Sequence, residues 1–301
     1  MNQQIFSLSS ENPYINSIYQ TPNYKVIPGL ADNDICVIFF SGNALYYPNT
    51  VDSFRRTIIY KDRYEWASVA SKMIEYVSKI ILVRDVKKSW YVDGINQECN
   101  SIDKVVKLLE PEIKGYRLFV YGNSAGGYMA MLAGTMLHAE RIYNWGGQTD
   151  LYLKEETVHS TEFIDRANNI LGKNKYFSIK EYIQNTDSTI FSFYSGKNTS
   201  DAASANIIGN LPSVYTFLYD SDQHGKGFER EVYINLLFVN QEKLIELNDK
   251  YKENLVLPET LGLEIINISS CNYKEEKKKD SLYLVIRHKL GNIKRKIFEK
   301  N

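Results

Sequence analysis

Apolar residues are concentrated in six short runs, each ending at a polar residue or a glycine, and this pattern predicts strands covered on both faces of a sheet. The predicted strands are Ile35–Phe40, Lys79–Val83, Arg117–Tyr121, Arg141–Trp145, Thr189–Tyr194 and Val214–Tyr219. Apolar residues recur at helical spacing in Tyr64–Val77 and in Ser101–Ile113, where Ser101 can cap the first turn, and Tyr128–Leu137 is also helix-prone. Strands alternating with helices favour an α/β fold, with a mostly parallel sheet and helices on both faces.

Two segments fall outside this alternation. Gln148 to Asp187 is polar, with short helical patterns and no long apolar run, and we expect a small lid above the carboxyl ends of the strands. After a helical stretch from about Phe228 to Lys252, the runs Leu263–Ser269 and Ser281–His288 predict a C-terminal β-hairpin. The chain is therefore divided into an α/β domain over residues 1–255, with its lid at about 148–187, and a β-rich extension over 256–301.

Composition is that of an ordinary globular protein. The 301 residues include 36 Lys and Arg against 36 Asp and Glu, and 44% are hydrophobic, which excludes a disordered chain and a generally basic nucleic-acid binder. The zero net charge hides an asymmetry, because ten basic and only four acidic residues lie between Cys271 and Asn301. This basic tail is compatible with a peripheral contact to a membrane surface or a polyanion.

No run is long and apolar enough to cross a membrane, and Met1–Ser10 lacks the pattern of a secretory signal, so we expect a cytoplasmic protein. Cys36, Cys99 and Cys271 lie far apart, which favours reduced thiols over a disulfide framework or a zinc site. The chain carries no motif for a phosphate, a dinucleotide, a metal or a nucleic acid. We therefore expect no metal, no resident cofactor and no nucleic-acid partner.

A glycine-rich segment, Gly122-Asn123-Ser124-Ala125-Gly126-Gly127, joins a predicted buried strand to a helix-prone stretch. In this context Gly-x-Ser-x-Gly predicts a sharp turn that strains the serine backbone, with glycines where side chains would collide with neighbouring backbone. The serine oxygen would stand at the helix N-terminus, where the amide of Ala125 can stabilise an oxyanion. The alternative interpretation is a turn that only connects the two elements.

This motif and the order of the elements resemble the α/β-hydrolase superfamily over roughly Ile35 to Leu237. The runs Val37–Gly42, Asp85–Tyr91 and Gly122–Gly127 look, more narrowly, like hydrolase-fold proteins of bacterial surface-polysaccharide clusters, some of which are O-acetyltransferases. The resemblance implies an α/β-hydrolase fold in which Ser124 is the nucleophile.

The superfamily also implies where the general base lies, because the acid and then the histidine follow the serine along the chain. His224 comes just after the last predicted strand and has the expected place. The other histidines do not, since His138 ends the helix after the serine, His159 lies in the predicted lid and His288 lies in the tail.

The acid is expected in the loop after Thr189–Tyr194, where Asp201 is the only carboxylate. In this arrangement Asp201 orients the imidazole that removes the serine proton. The alternative acids are Asp150, Asp220 and Asp222. The other interpretation of Asp201 is a cap on the helical stretch Ala202–Ile208.

Further groups should surround the serine at the carboxyl ends of the strands. The Ser41-Gly42-Asn43 turn follows the first predicted strand and offers the backbone amide of Asn43, beside Ala44, as the second oxyanion donor. Trp90 and Tyr91 follow the second strand and Gln148 follows the fourth, so we expect them to line a substrate pocket. The aromatic pair would stack on a sugar ring or pack beneath the lid.

Three functions fit these residues. The first is a serine esterase that passes the acyl group of an acylated carbohydrate or other small ester to water. The second is an O-acetyltransferase that takes acetyl from acetyl-CoA and passes it to a surface polysaccharide. The third is a binding protein on a hydrolase fold that has lost catalysis, for which a missing nucleophile or histidine would be the expected mark.

Overall fold

A seven-stranded sheet forms the centre of the computed structural model, which describes residues 11–153, 174–252 and 254–269. Its strands are β1 (Tyr24–Pro28), β2 (Ile35–Phe40), β3 (Lys79–Val83), β4 (Arg117–Asn123), β5 (Arg141–Trp145), β6 (Thr189–Ser195) and β7 (Val214–Tyr219). The strand order is β1-β3-β2-β4-β5-β6-β7, and all neighbours are parallel except β1 and β3. The predicted α/β fold with a mostly parallel sheet is confirmed.

Among the strands in the described residues, only β1 was not predicted from the apolar pattern. It pairs antiparallel with β3 at the edge of the sheet, and none of its residues is buried. An edge strand exposed to solvent does not need a continuous apolar run, so its sequence carries little strand signal.

Helices cover both faces of the sheet. They are α1 (Pro13–Tyr19), α2 (Val51–Phe54, continued by a π-helical turn, Arg55–Ile59), α3 (Ala67–Met73), α4 (Ile102–Ile113), α5 (Ala125–Met136), α6 (Lys180–Ile183), α7 (Thr199–Ile208), α8 (Arg230–Asn235), α9 (Gln241–Tyr251) and α10 (258–269). Among the described residues, no helix is both long and apolar enough to span a membrane.

Alternation along β2 explains why both faces are covered. Ile38 and Phe40 pack into one core with α4, α5, α6 and α7, whereas Val37 and Phe39 pack into a second core with α3, α8, α9 and α10. Because successive side chains of a strand point to opposite faces, a run of apolar residues requires a helical layer on each side.

The chain reverses its direction of strand addition at β2, which lies between β3 and β4. In open parallel sheets the loops that leave the carboxyl ends of such strands separate and form a crevice. Here the loop after β2 and the turn after β4 meet at this crevice, and they carry Asn43 and Ser124.

The C-terminal part differs from the expectation. The stretch from Phe228 to Lys252 forms two helices, α8 and α9, and the run Leu263–Ser269, predicted as a strand, lies in helix α10. Leu261 and Ile265, four residues apart, are buried against the body, whereas Leu263 is exposed, and this is helical spacing. The predicted strand Ser281–His288 and the basic tail lie outside the described residues.

Packing continues past residue 255, where the α/β domain was expected to end. Val256 forms a parallel bridge with Tyr219 of β7 and is buried in the same core as α10. The predicted lid at about 148–187 lies partly outside the described residues. Its described end, 174–187, packs against the sheet through Phe177, Ile179 and Ile183, which are fully buried.

Candidate active site

Ser124 occupies a sharp turn between β4 and α5. Its backbone is in the left-handed region, with φ 53°, which a serine adopts only when the surrounding structure holds it there. A Cβ atom on Gly122 would lie 2.0 Å from the Gly126 carbonyl oxygen, and one on Gly126 would lie 2.1 Å from the Phe40 carbonyl oxygen. The two glycines therefore allow three backbone segments to approach closely and lift the serine side chain out of the sheet.

Three side chains, from the turn after β4, the first turn of α7 and the segment after β7, form a continuous hydrogen-bonded chain. Ser124 Oγ lies 2.9 Å from His224 Nε2, and His224 Nδ1 lies 2.5 Å from Asp201 Oδ1. The structure thus brings together the three residues that the sequence singled out, which are separated by up to 100 positions. This is the arrangement that a serine nucleophile, a general base and an orienting acid require.

Asp201 is held in place by the backbone around it. It is almost fully buried, and its second carboxylate oxygen accepts hydrogen bonds from the N–H groups of Ser195 at 3.0 Å and Gly225 at 3.2 Å. The capping interpretation of Asp201 is wrong, because Asn198 caps α7 by accepting from the Asp201 N–H. The Asp201 carboxylate is therefore left to face His224.

The alternative acids point elsewhere. Asp220 forms an ion pair with Lys197, and Asp150 accepts from the backbone N–H of Tyr152 at 2.8 Å. Asp222 is exposed to solvent, and Asn198 contacts its backbone carbonyl rather than its carboxylate.

The other histidines make no contribution to this arrangement in the described structure. His138 is exposed at the end of α5 and pairs with Asp187 at 3.2 Å, whereas His159 and His288 lie outside the described residues. Among the described residues, no group of His, Cys, Asp and Glu side chains is arranged to hold a metal ion.

The two expected oxyanion donors, the backbone N–H groups of Ala125 and Asn43, each begin a helix. Ala125 is the first residue of α5, and Asn43 is the first residue of a short 3₁₀ helix, Asn43–Leu45, after β2. The first N–H groups of a helix have no carbonyl partner within that helix. Asn43 and Ser124 line the same pocket.

Trp90 and Gln148 both line this pocket, although little of either side chain is exposed. The indole N–H of Trp90 donates to Gln148 Oε1 at 2.9 Å, and Gln148 Nε2 lies 3.4 Å from His224 Nε2. Tyr91 behaves differently and corrects the prediction. Its ring is fully buried, and its hydroxyl donates to the Ser41 carbonyl at 2.8 Å, so it offers no face to a substrate.

The pocket has a volume of about 340 Å³ and includes residues that the sequence did not single out. Its lining consists of Gly42, Asn43, Ala44, Tyr47, Asn49, Glu65, Lys88, Trp90, Asn123, Ser124, Gln148 and His224. Two of these residues, Glu65 and Lys88, are charged, and a pattern of apolar positions cannot predict them. The sequence signal for Lys88 was its position in Asp85–Tyr91, a run that resembles hydrolase-fold proteins of surface-polysaccharide clusters.

Glu65 braces the loop that follows β2. Its carboxylate accepts the Gly42 N–H at 2.5 Å, and Gly42 directly precedes the oxyanion candidate Asn43. Burial raises the pKa of Glu65, which the Gly42 hydrogen bond opposes. The helix predicted from Tyr64 begins only at Ala67, so Glu65 lies before it and turns toward the pocket.

Asp85 organises the loop that carries Lys88 and Trp90. Its buried carboxylate accepts from the backbone N–H groups of Lys87 at 2.9 Å, Ser89 at 2.6 Å and Tyr91 at 3.0 Å. Burial raises the pKa of Asp85 to about 6, against the lowering effect of these hydrogen bonds. The bonds hold the loop although Lys88, Trp90 and Tyr91 all have positive φ.

Comparisons with known proteins find similar folds among solved structures. No family model matches the sequence, and no curated protein does. A capsule O-acetyltransferase of Neisseria meningitidis serogroup A, solved with caged gadolinium, is 11% identical with a TM-score of 0.51, over 75% of this chain and 92% of that chain. An α/β hydrolase from the metagenome of lagoon sediments at Mar Chica, Morocco, is 16% identical with a TM-score of 0.46, over 76% of this chain and 98% of that one.

The strand order and the serine turn are those of the α/β-hydrolase fold, so the resemblance expected from the sequence is confirmed at the level of the fold. At 11% identity the likeness to the capsule enzyme concerns the path of the chain. The chemistry of this protein has to be argued from its own side chains.

Proposed function

We propose that this protein is a serine esterase that forms an acyl-enzyme on Ser124 and acts on an acylated carbohydrate or another small ester. The observation that carries the proposal is the contact of Ser124 Oγ with His224 Nε2 at 2.9 Å, continued by His224 Nδ1 to the buried carboxylate of Asp201. A scaffold that had lost catalysis would have no need to keep this chain of contacts together with a strained serine.

In the first step, Ser124 Oγ attacks the ester carbonyl carbon while its proton passes to His224 Nε2. The bond between the carbonyl carbon and the alkoxy oxygen then breaks, and the same proton moves from His224 to the leaving alcohol. In the second step, a water loses a proton to His224 and attacks the acyl carbon. The acid leaves, and the proton returns to Ser124 Oγ. Asp201 stabilises the imidazolium that forms in each step.

Negative charge develops on the carbonyl oxygen in both steps. The N–H groups of Ala125 and Asn43 are the proposed donors to this oxyanion, and removing one such donor typically costs about 10²–10³ in kcat. The support for a hydroxyl-rich substrate is the polar lining of the pocket, which includes the amide residues Asn43, Asn49 and Gln148.

The test is labelling by a fluorophosphonate probe, which reacts with activated serines. We expect labelling of the native chain, none of Ser124→Ala, and strongly reduced labelling of His224→Ala. Native protein that labels no more than Ser124→Ala would contradict the proposal and would leave a binding role for the fold.

Acyl transfer to an alcohol would use the same acyl-enzyme. Incubation with labelled acetyl-CoA, water and candidate polysaccharides separates the two reactions. Label that appears as acetate supports the esterase, whereas label that enters the polymer would replace it by an O-acetyltransferase. The basic tail remains a proposed site of contact with a polyanion or a membrane surface, and labelling of Ser124 does not depend on it.

A further inference from the structure

The pocket beside Ser124 contains a buried lysine that acyl transfer to water does not use. Lys88 is only 3% exposed, and its ammonium donates to the Tyr46 carbonyl oxygen at 2.8 Å and to Asn49 Oδ1. The same Nζ lies 3.7 Å from the centre of the Tyr46 ring. Lys88 and Ser124 both line the pocket of about 340 Å³, so the lysine borders the space that a substrate of Ser124 would occupy.

The acceptors of this ammonium are neutral. In the described parts of the chain, none of the ion pairs within 4.0 Å includes Lys88. An ammonium has three N–H donors, and the described contacts use two of them. Burial lowers the pKa of Lys88 to about 7, so its charged form is only partly populated at neutral pH, and an anion within reach of the third donor would favour that form.

The nearby carboxylates are engaged with backbone. Asp85 accepts three backbone N–H groups of its own loop, and Glu65 accepts the Gly42 N–H. Both attract the Lys88 charge, and Arg63 opposes it. Lys88 is attracted by both carboxylates, but its described hydrogen bonds go to Tyr46 and Asn49 and to neither carboxylate.

The loop is built to present this side chain. Lys88 has φ 54°, a left-handed conformation that long side chains rarely adopt, and the Asp85 carboxylate fixes the residues on both sides of it. A lysine that merely covered the surface would need neither the strained backbone nor the burial. Backbone strain of this kind collects at binding sites, where the surrounding structure over-determines it.

We propose that Lys88 anchors an acidic group, a carboxylate or a phosphate, on the ester that Ser124 attacks. The substrate class is then an acylated acidic sugar or a similar ester that carries a negative charge. This inference rests on the proposed esterase function and specifies its substrate.

The experiment compares matched esters that differ only in charge: an O-acetylated methyl glucoside, the corresponding methyl glucuronide, and the 6-phosphate of the glucoside. We expect the wild-type kcat/KM to be about tenfold or more higher for at least one acidic ester than for the neutral one, the scale of a hydrogen bond to a charged group. The glucuronide and phosphate arms distinguish the two sources of the charge.

The variant Lys88→Met keeps an apolar stem of similar length and removes the ammonium. It should bring the ratio of acidic to neutral kcat/KM values close to one. Lys87→Met is the matched control, because Lys87 lies over the Tyr19 ring and does not line the pocket. We expect this control to keep the wild-type ratio. Equal ratios in wild type and Lys88→Met would overturn the inference.

A binding measurement separates this inference from the esterase proposal. Isothermal titration of Ser124→Ala with unacylated methyl glucuronide, glucoside 6-phosphate and neutral glucoside reads the subsite without turnover. At least one acidic sugar should bind about tenfold or more tightly than the neutral one, and Ser124→Ala/Lys88→Met should lose the difference. If the protein hydrolyses no ester but keeps this binding preference, only the esterase proposal is contradicted. Equal binding of all three sugars would contradict the proposed Lys88 subsite.

Discussion

Trp90 and Gln148, 58 positions apart, are joined by a hydrogen bond from the indole N–H to Gln148 Oε1 at 2.9 Å. The bond decides which end of the amide faces the imidazole, because an oxygen that accepts from Trp90 leaves Nε2 on the other side. Nε2 then lies 3.4 Å from His224 Nε2. Trp90 therefore acts on the site through Gln148.

This relationship predicts non-additive kinetics. Gln148→Met and Trp90→Phe should each lower kcat/KM for a small ester by about tenfold, the scale of one lost hydrogen bond. Because both changes disturb the same amide, the double variant should lose little more than Gln148→Met alone, a coupling of about 1 kcal/mol. Steady-state kinetics of the four proteins measure the cycle, and losses that simply multiply would show that the two side chains act independently.

Asp201 and Asp222 provide a matched pair for the acid. Asp201→Asn should lower kcat by about 10³–10⁴-fold, because an amide that donates to the imidazole favours the wrong tautomer. Asp222→Asn should stay within about twofold of wild type, since its exposed carboxylate makes none of the described contacts with His224. Normal turnover in Asp201→Asn, with loss in Asp222→Asn, would transfer the role.

Glu65 is a positioning residue that acts through Gly42. Glu65→Ala removes the acceptor at 2.5 Å from the Gly42 N–H, and the freed loop should misplace the Asn43 amide. We expect kcat to fall by about tenfold or more while KM changes little, because the oxyanion forms only in the transition state.

Glu65→Gln is the control for this prediction, since its side-chain carbonyl can still accept the Gly42 N–H, and it should restore most of kcat. A rise in KM with unchanged kcat in Glu65→Ala would instead indicate a direct contact with substrate.

Lys88 should make stability depend on pH. Burial lowers its pKa to about 7 in the folded chain, from an ordinary value of 10.5. Between these two values the unfolded chain binds the proton and the folded chain does not, so stability rises with pH. Relative to Lys88→Met, the wild-type free energy of unfolding should increase by up to about 1.4 kcal/mol per pH unit above pH 7.

Urea unfolding at pH 7 to 9.5 measures this slope. Lys87→Met, which removes a lysine from the same loop outside the pocket, should keep the wild-type pH dependence. An identical dependence in wild type and Lys88→Met would show that Lys88 keeps its proton throughout this range.

Some elements could be predicted because one local requirement controls them. The strands β2, β3, β5 and β7 have the predicted bounds, since burial on both faces demands an apolar run in the inner strands, and the edge strand β7 still buries Val214, Phe217 and Tyr219. The run Leu263–Ser269 lacks such a requirement: its apolar residues fit a strand or a helix, and packing of Leu261 and Ile265 on the body made it a helix.

The sequence alone predicts the turn at Ser124, because a glycine-flanked turn after a buried strand has its own steric demands. It also predicts the places of His224 and Asp201 along the chain, because each follows a recognisable strand. The side chains that surround Ser124 in the pocket could not be predicted from the sequence. The contact of Glu65 with Gly42 and that of Gln148 with Trp90 join residues 23 and 58 positions apart. Only the packing of the loops on the sheet brings them together, since no periodic pattern records which side chains meet across separate loops.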